Sequence, residues 1–143
     1  MSNPLNYISL ARKAGLVETG EESSGVVIRS GKAKLLVIAA DASDNAVRRA
    51  EGYIQGRNVL LLKAPYTKLE LASAAGKSGC SMLVFTDLAL ACSFVSATAD
   101  EHPGEYDALR DEICAKNDRA KQRRKKAHGN DMNKKTGKRR TIE

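Results

Sequence analysis

Only two histidines occur in the 143 residues, His102 beside Pro103 and His128 in a basic C-terminal run, both outside the segments patterned for a core. A Ser-His-Asp or Cys-His arrangement therefore has no positioned base, and no enzyme class rises above background. The three cysteines, Cys80, Cys92 and Cys114, are an odd set with no CxxC and no nearby histidine pair. That argues against a disulfide framework or a zinc site and leaves buried or idle thiols in a reducing cytosol. No basic segment followed by an apolar run opens the chain, and no apolar stretch approaches bilayer length. The expectation is a soluble, cytoplasmic protein without cofactor, metal or membrane partner. Internal repeats are also absent.

What the chain does have is positive charge, unevenly spread. The formal net charge is +7. Residues 1–99 carry eleven Lys and Arg against eight Asp and Glu, a balance of +3. Asp100 to Glu112 then holds six acids and one base, and Lys116 to Arg140 twelve bases and two acids, a local balance of +10. Such a segment points at a polyanion. Bulky apolar residues are not interleaved among its charges, so nucleic acid is favoured over an anionic membrane.

The length suits one core, and the pattern alternates helices with strands. Asn3-Pro4 is a helix start, with the Asn as cap and Pro at the first helical position; Gly15 stops that helix. Leu16 to Glu18 is long enough only for an edge strand. Thr19 and Glu22 have the spacing of a capping box, which places the second helix near Gly20 and its stop near Gly31. Leu35 to Ala40 is an unbroken apolar run, a strand covered on both faces. A third helix carries Val47, Ala50 and Ile54 and ends at Gly56; Asp41, Ser43 and Asp44 are its candidate caps. Val59 to Leu62 is a further strand, and Thr67 with Glu70 forms a second capping box for a helix that Gly76 ends. Met82 to Phe85 is the last strand, and Asp87 caps a helix through Val95. The fold class is α/β: a three-layer α/β/α sandwich with a mixed sheet of about four strands.

After Ala99 the composition shifts, dividing the chain into a domain over 1–99 and a charged extension over 100–143. Tyr106, Leu109 and Ile113 form a narrow stripe that docks one helical face. From Lys116 the stripe vanishes while helix formers persist, which predicts a solvated basic arm (Lys121, Arg123, Arg124, Lys125, Lys126) that frays before Gly129. Twelve residues of helix would extend it by about 18 Å. The last fourteen residues lack the apolar surface to fold alone.

Three motifs have a functional and a plainer reading. Gly76-Lys77-Ser78 looks like the end of a phosphate loop, but Leu71 stands where that motif needs a glycine. Asp41 follows a buried strand, where open α/β sheets place functional groups; the plainer reading is a helix cap. Gly20-Glu21-Glu22 is accounted for by the capping box, yet a helix start with glycine also offers backbone N–H groups to phosphate, and Glu accepts from base amino groups.

Taken together, Ala11-Arg12-Lys13-Ala14-Gly15, Thr19-Gly20-Glu21-Glu22, Gly31-Lys32-Ala33-Lys34-Leu35, Asp41 after its strand, and Lys68-Leu69-Glu70-Leu71 followed by Gly76-Lys77 carry a resemblance. Residues 4–98 resemble the kink-turn RNA-binding ribosomal-protein family of L-seven-Ae and L-thirty-e, above all its bacterial YlxQ-type branch. The resemblance implies an α/β/α sandwich, no catalysis, and binding of structured RNA, ribosomal RNA included. It implies that Gly20, Glu21 and Glu22 contact the sheared G·A pairs of a kinked RNA. It also implies that the loop Ser78-Gly79-Cys80 covers an extruded base. Arg29, Lys32 and Lys77 are candidates for phosphate contacts. Where the family usually carries a Lys one turn into the helix, this chain has Val26. That residue and the small polar loop motivate a rival reading, a protein-interaction module of a ribosomal or transcription complex in which only the tail touches nucleic acid.

Overall fold

The structure, a computed structural model, describes the backbone of residues 3–76 and 80–142 and the side chains of those up to Lys125. In chain order the elements are α1 (Pro4–Ala14), β1 (Val17–Thr19), α2 (Glu21–Arg29), β2 (Leu35–Ile38) and α3 (Asp44–Ile54). They continue with β3 (Leu60–Lys63), α4 (Lys68–Ala75), β4 (Met82–Phe85), α5 (Leu88–Glu101) and α6 (Asp107–Ile142). The four strands form one mixed sheet in the order β1-β4-β2-β3. β2 runs parallel to β3 and antiparallel to β4, and β1 closes one edge antiparallel to β4.

Alternation along the two central strands separates two cores, because successive side chains leave a strand on opposite faces. Leu35, Val37, Leu83 and Phe85 pack with Ile8, Leu71, Phe94, Val95 and Ile113 beneath α1, α4, α5 and the start of α6. Leu36, Ile38, Met82 and Val84 pack with Ile28, Ala46 and Ala50 beneath α2 and α3. All eight residues of β2 and β4 are buried. Both faces are thus covered, as the unbroken apolar runs require.

The caps explain most helix boundaries. Asn3 accepts from the Leu5 N–H at 3.0 Å, Ser43 from Ala46 at 3.1 Å, and Asp87 from Leu90 at 2.9 Å. Thr67 and Glu70 close a complete capping box on α4. The other predicted box does not form. Thr19 is extended in β1, where it pairs with Leu83, and Gly20 takes the cap position of α2 without a side-chain hydrogen bond. Sheet pairing of Thr19 outcompetes the local cap, and the chain reverses through Gly20 at φ 97°. Asp41 does cap a helix, but α4 rather than α3: its Oδ1 accepts from the Lys68 N–H at 2.7 Å. Ser43 alone caps α3.

Two further expectations are corrected. Cys92 and Cys114 are not idle thiols; they form a disulfide between α5 and α6, with Cα atoms 5.2 Å apart. Which faces of two helices meet decides such a pairing, and that is invisible in cysteine spacing. The C-terminal helix also does not stop before Gly129; the backbone is helical to Ile142. No proline follows Pro103, and Gly129 and Gly137 each cost only about 1 kcal/mol in a helix. Ile113 is fully buried where α6 meets the sandwich, and the Tyr106 hydroxyl donates to the Lys63 carbonyl at 3.0 Å.

Tyr66 is a buried titratable group of this core: its hydroxyl sits 3.3 Å from both Thr98 Oγ1 and Glu101. Burial, foremost, pushes its pKa up from 10.0 to about 12. The folded state therefore keeps a proton that the unfolded chain releases, so this contribution is fully present below pH 10 and is lost as pH rises towards 12. Denaturant unfolding at increasing alkaline pH will show wild type losing stability faster than Tyr66→Phe across that window. Parallel losses in the two proteins would contradict the assignment.

Candidate nucleic-acid interface

The residues singled out around Gly20 form an exposed lip where β1 turns into α2. The Gly20 N–H donates to the Met82 carbonyl at 3.0 Å, so the turn is pinned to the start of the central strand β4. Its φ of 97° lies where side-chain-bearing residues rarely go, although a Cβ there would meet nothing within 4 Å. Glycine is needed for conformation, not for space. Because Gly20 provides no side-chain cap, the first turn of α2 presents its backbone N–H groups without such a partner.

Glu21 and Glu22 occupy that first turn, where the helix dipole favours negative charge. Their side chains part company. Glu21 pairs with Arg49 of α3, and this pairing raises the Arg49 pKa. Glu22 is exposed and has no ion-pair partner among the described residues. The lip is thus a carboxylate with no ion-pair partner among the described residues beside N–H groups without a side-chain cap, an arrangement able to accept from one group and donate to another. It is open to solvent.

Farther along α2, Gly25 is tightly packed. A Cβ at this position would lie 3.0 Å from the Tyr53 ring of α3. Val26 is 58% exposed, an apolar residue on the surface one turn beyond the lip. Arg29 and Lys32 are exposed but stand at the far end of α2, about 12 Å from the lip at about 1.5 Å per residue. The Arg29 guanidinium folds back towards Gly25.

Of the predicted cover loop, Lys77, Ser78 and Gly79 lie outside the described residues. Cys80 does not face outward. It is 3% exposed and its thiol donates to the Met82 carbonyl at 3.1 Å; burial, foremost, raises its pKa. Cys80 is therefore part of the floor of the lip, and its assignment as a surface contact is corrected. Sequence reasoning missed Arg12 here. Its guanidinium packs over Gly76, where a Cβ would come within 2.7 Å of Arg12 Cζ, so a cation stands at the root of the loop. Its place in Ala11-Arg12-Lys13 was the available signal.

The arm residues Lys121, Arg123, Arg124 and Lys125 are exposed on α6, while the Lys126 side chain lies outside the described residues. The acidic segment before the arm is occupied locally: Arg110 approaches Asp100, Asp107 and Asp111 at 3.9, 3.6 and 3.7 Å. The arm cations make no ion pair among the described residues.

A mixed four-stranded α/β/α sandwich with an open glycine-led helix start defines a class, and comparison with known proteins supplies the family. The profile of the ribosomal protein L7Ae/L30e/S12e/Gadd45 family matches residues 4–95, and the chain belongs to that family. Over 47 residues it is 43% identical to the RNA-binding protein YlxQ of Enterococcus faecium, a match covering 33% of this chain and 46% of that protein. The match thus spans about half the length of that relative. A protein of unknown function from Bacillus halodurans superposes with a TM-score of 0.62 at 17% identity, over 68% of this chain and 98% of the other. The 15.5 kD RNA-binding protein of Giardia lamblia does so with a TM-score of 0.56 at 20% identity, over 73% and 85%. At these identities the structural likeness establishes the fold.

Gly20→Ala forces a side chain into a positive-φ turn with no steric contact to relieve, so about 1–3 kcal/mol of stability should be lost. A urea midpoint identical to wild type would mean that the turn is not held at this φ.

Proposed function

We propose that this chain is a non-enzymatic RNA-binding protein that recognises structured RNA, of kink-turn or internal-loop type, at the lip formed by Gly20, Glu21 and Glu22. The observation that carries the reading is the open start of α2, with N–H groups free of a side-chain cap and the unpaired Glu22, in a chain of the ribosomal L7Ae-type family. Backbone N–H groups at a helix start bind phosphate, and a carboxylate accepts from base amino groups exposed in a non-Watson–Crick pair. Glu21, held by Arg49, fixes the rotation of the first turn and leaves Glu22 as the reading group. Arg12 adds a cation beside the loop. The basic arm supplies attraction to phosphate without regard to sequence.

Exposed Val26 favours a second reading, in which the sandwich contacts a ribosomal or transcription protein and the arm alone touches nucleic acid. The two part at Glu22. In gel-shift titrations against a kink-turn RNA and a matched straight duplex, wild type should prefer the kinked RNA and Glu22→Ala should lose that preference. Equal binding of both RNAs by wild type would favour the second reading.

Removal of residues 125–143 deletes seven Lys and Arg. Affinity for every RNA should fall while the kinked-over-straight ratio stays. If six of these cations contact phosphates, the slope of log K against log salt should flatten by about 4 to 5, at about 0.7–0.9 per contact. An unchanged slope would exclude residues 125–143 from the interface.

A further inference from the structure

A second group of cations gathers at the opposite end of the sheet, away from the lip. Lys34 directly precedes β2, and its N–H donates to the carbonyl of Phe85, the last residue of β4. The lip is pinned instead to Met82, the first. From Lys34 to Ala39 is about 17 Å of strand at about 3.3 Å per residue. That is about twice the screening length in physiological salt, so the two ends act as separate electrostatic sites.

α6 crosses this end and encloses two adjoining hollows of about 330 and 240 Å³. Lys34, Leu88 and Arg123 line both; Asn117 and Arg124 are among the further residues of the larger, Lys116 and Arg119 among those of the smaller. None of the five cations pairs with a carboxylate among the described residues. Three acids stand near the hollows along the chain or in space, Asp87, Glu112 and Asp118, the last between Asn117 and Arg119 on α6. Asp87 lines the larger hollow, but its carboxylate already accepts from Leu90 as the cap of α5. Glu112 precedes Lys116 by one turn. The Lys116 ammonium donates to Asn58 Oδ1 at 2.6 Å. Its pKa is lowered by burial first and by the like charges of Arg119 and Lys34, which Glu112 opposes. An anion in the hollow would relieve that repulsion.

Asn117 supplies the independent observation. It is 6% exposed, and its carboxamide oxygen is buried without any hydrogen-bond partner. Ile113, one turn earlier on α6, covers the core with no polar atom to satisfy. A carboxamide placed among cations in a hollow wall, with its acceptor unused, fits a ligand that brings a donor next to a negative charge. A half-turn about the last side-chain torsion exchanges the oxygen with the NH2 group, which then takes the buried position, so a bound strand meets the oxygen only after that exchange.

We propose that this hollow binds the ribose-phosphate backbone of an RNA strand, separate from the segment at the lip. Lys34, Lys116, Arg119, Arg123 and Arg124 take phosphodiester oxygens, and Asn117 accepts from a 2′-hydroxyl. The row from Lys116 to Arg123 extends about 10 Å along α6, longer than a single phosphate group, so it suits a strand rather than a mononucleotide. DNA has no donor at the sugar position that Asn117 would read. Only the class of ligand here rests on the RNA-binding reading.

Fluorescence anisotropy on the full chain tests this with one short unstructured oligonucleotide made as RNA, as 2′-O-methyl RNA and as DNA. Wild type should bind the RNA about fivefold tighter than the other two, the scale of one neutral hydrogen bond. Asn117→Ala should erase that difference without altering the kinked-over-straight ratio. Lys34→Ala with Arg119→Ala should weaken all three oligonucleotides and flatten the salt slope by about 1.4 to 1.8. Retention of the RNA preference in Asn117→Ala would overturn the 2′-hydroxyl assignment. Unchanged affinity in the double variant would overturn the site, and it decides the matter even if Asn117→Ala fails to fold. Displacement of the RNA by excess 5′-AMP would overturn the strand in favour of a mononucleotide. Glu22→Ala reports on the lip alone, so failure there and failure here are distinguishable.

Discussion

The antiparallel pairing of β2 with β4 is the constraint on which the rest of the molecule depends. Leu35 faces Phe85 and Ile38 faces Met82, and every residue of both strands is buried. A slip of one residue would exchange the side chains of the two cores, placing Leu36 and Ile38 under α5 and Leu35 and Val37 under α3. The register is therefore held from both faces at once. Phe85 and Phe94 stack with ring centres 5.3 Å apart, filling much of the larger core in a chain with only two phenylalanines.

Both candidate interfaces hang from the ends of β4. Gly20 bonds the Met82 carbonyl at its start, and Lys34 bonds the Phe85 carbonyl at its finish. A doubly covered strand thus fixes the separation of an acid-bearing lip and a cation-lined hollow. The charge arrangement complements this. Carboxylates between residues 100 and 112 are partly occupied by Arg110, ahead of the basic run that starts at Lys116.

Much of the fold was legible in the sequence because local and global signals agree. Met82 to Phe85 is a strand with the expected limits, Thr67 and Glu70 close their box, and Leu35 to Ile38 is buried on both faces as its composition requires. The failures are places where tertiary pairing overrode a local rule. Thr19 went to the sheet instead of the cap, and Asp41 capped a helix 27 residues on. The Cys92–Cys114 pair depends on how α5 meets α6, which no spacing encodes. The site was legible in part. Glu22 is exposed in the first turn of α2 and a half-buried Gly20 leads it, although the capping box their spacing predicts does not form. Cys80 turned inward because a small thiol fits beneath Gly20, and Arg12 and Asn117 acquire meaning only through neighbours distant in sequence.

The central claim, that the lip at the start of α2 grips folded RNA, is tested most directly by an amide NMR titration of the full chain with a kink-turn RNA. The account predicts that the backbone signals of Gly20, Glu21 and Glu22 shift at the lowest RNA ratios and saturate with the complex. Shifts confined to α6 beyond Lys116, with the lip signals unmoved, would contradict it.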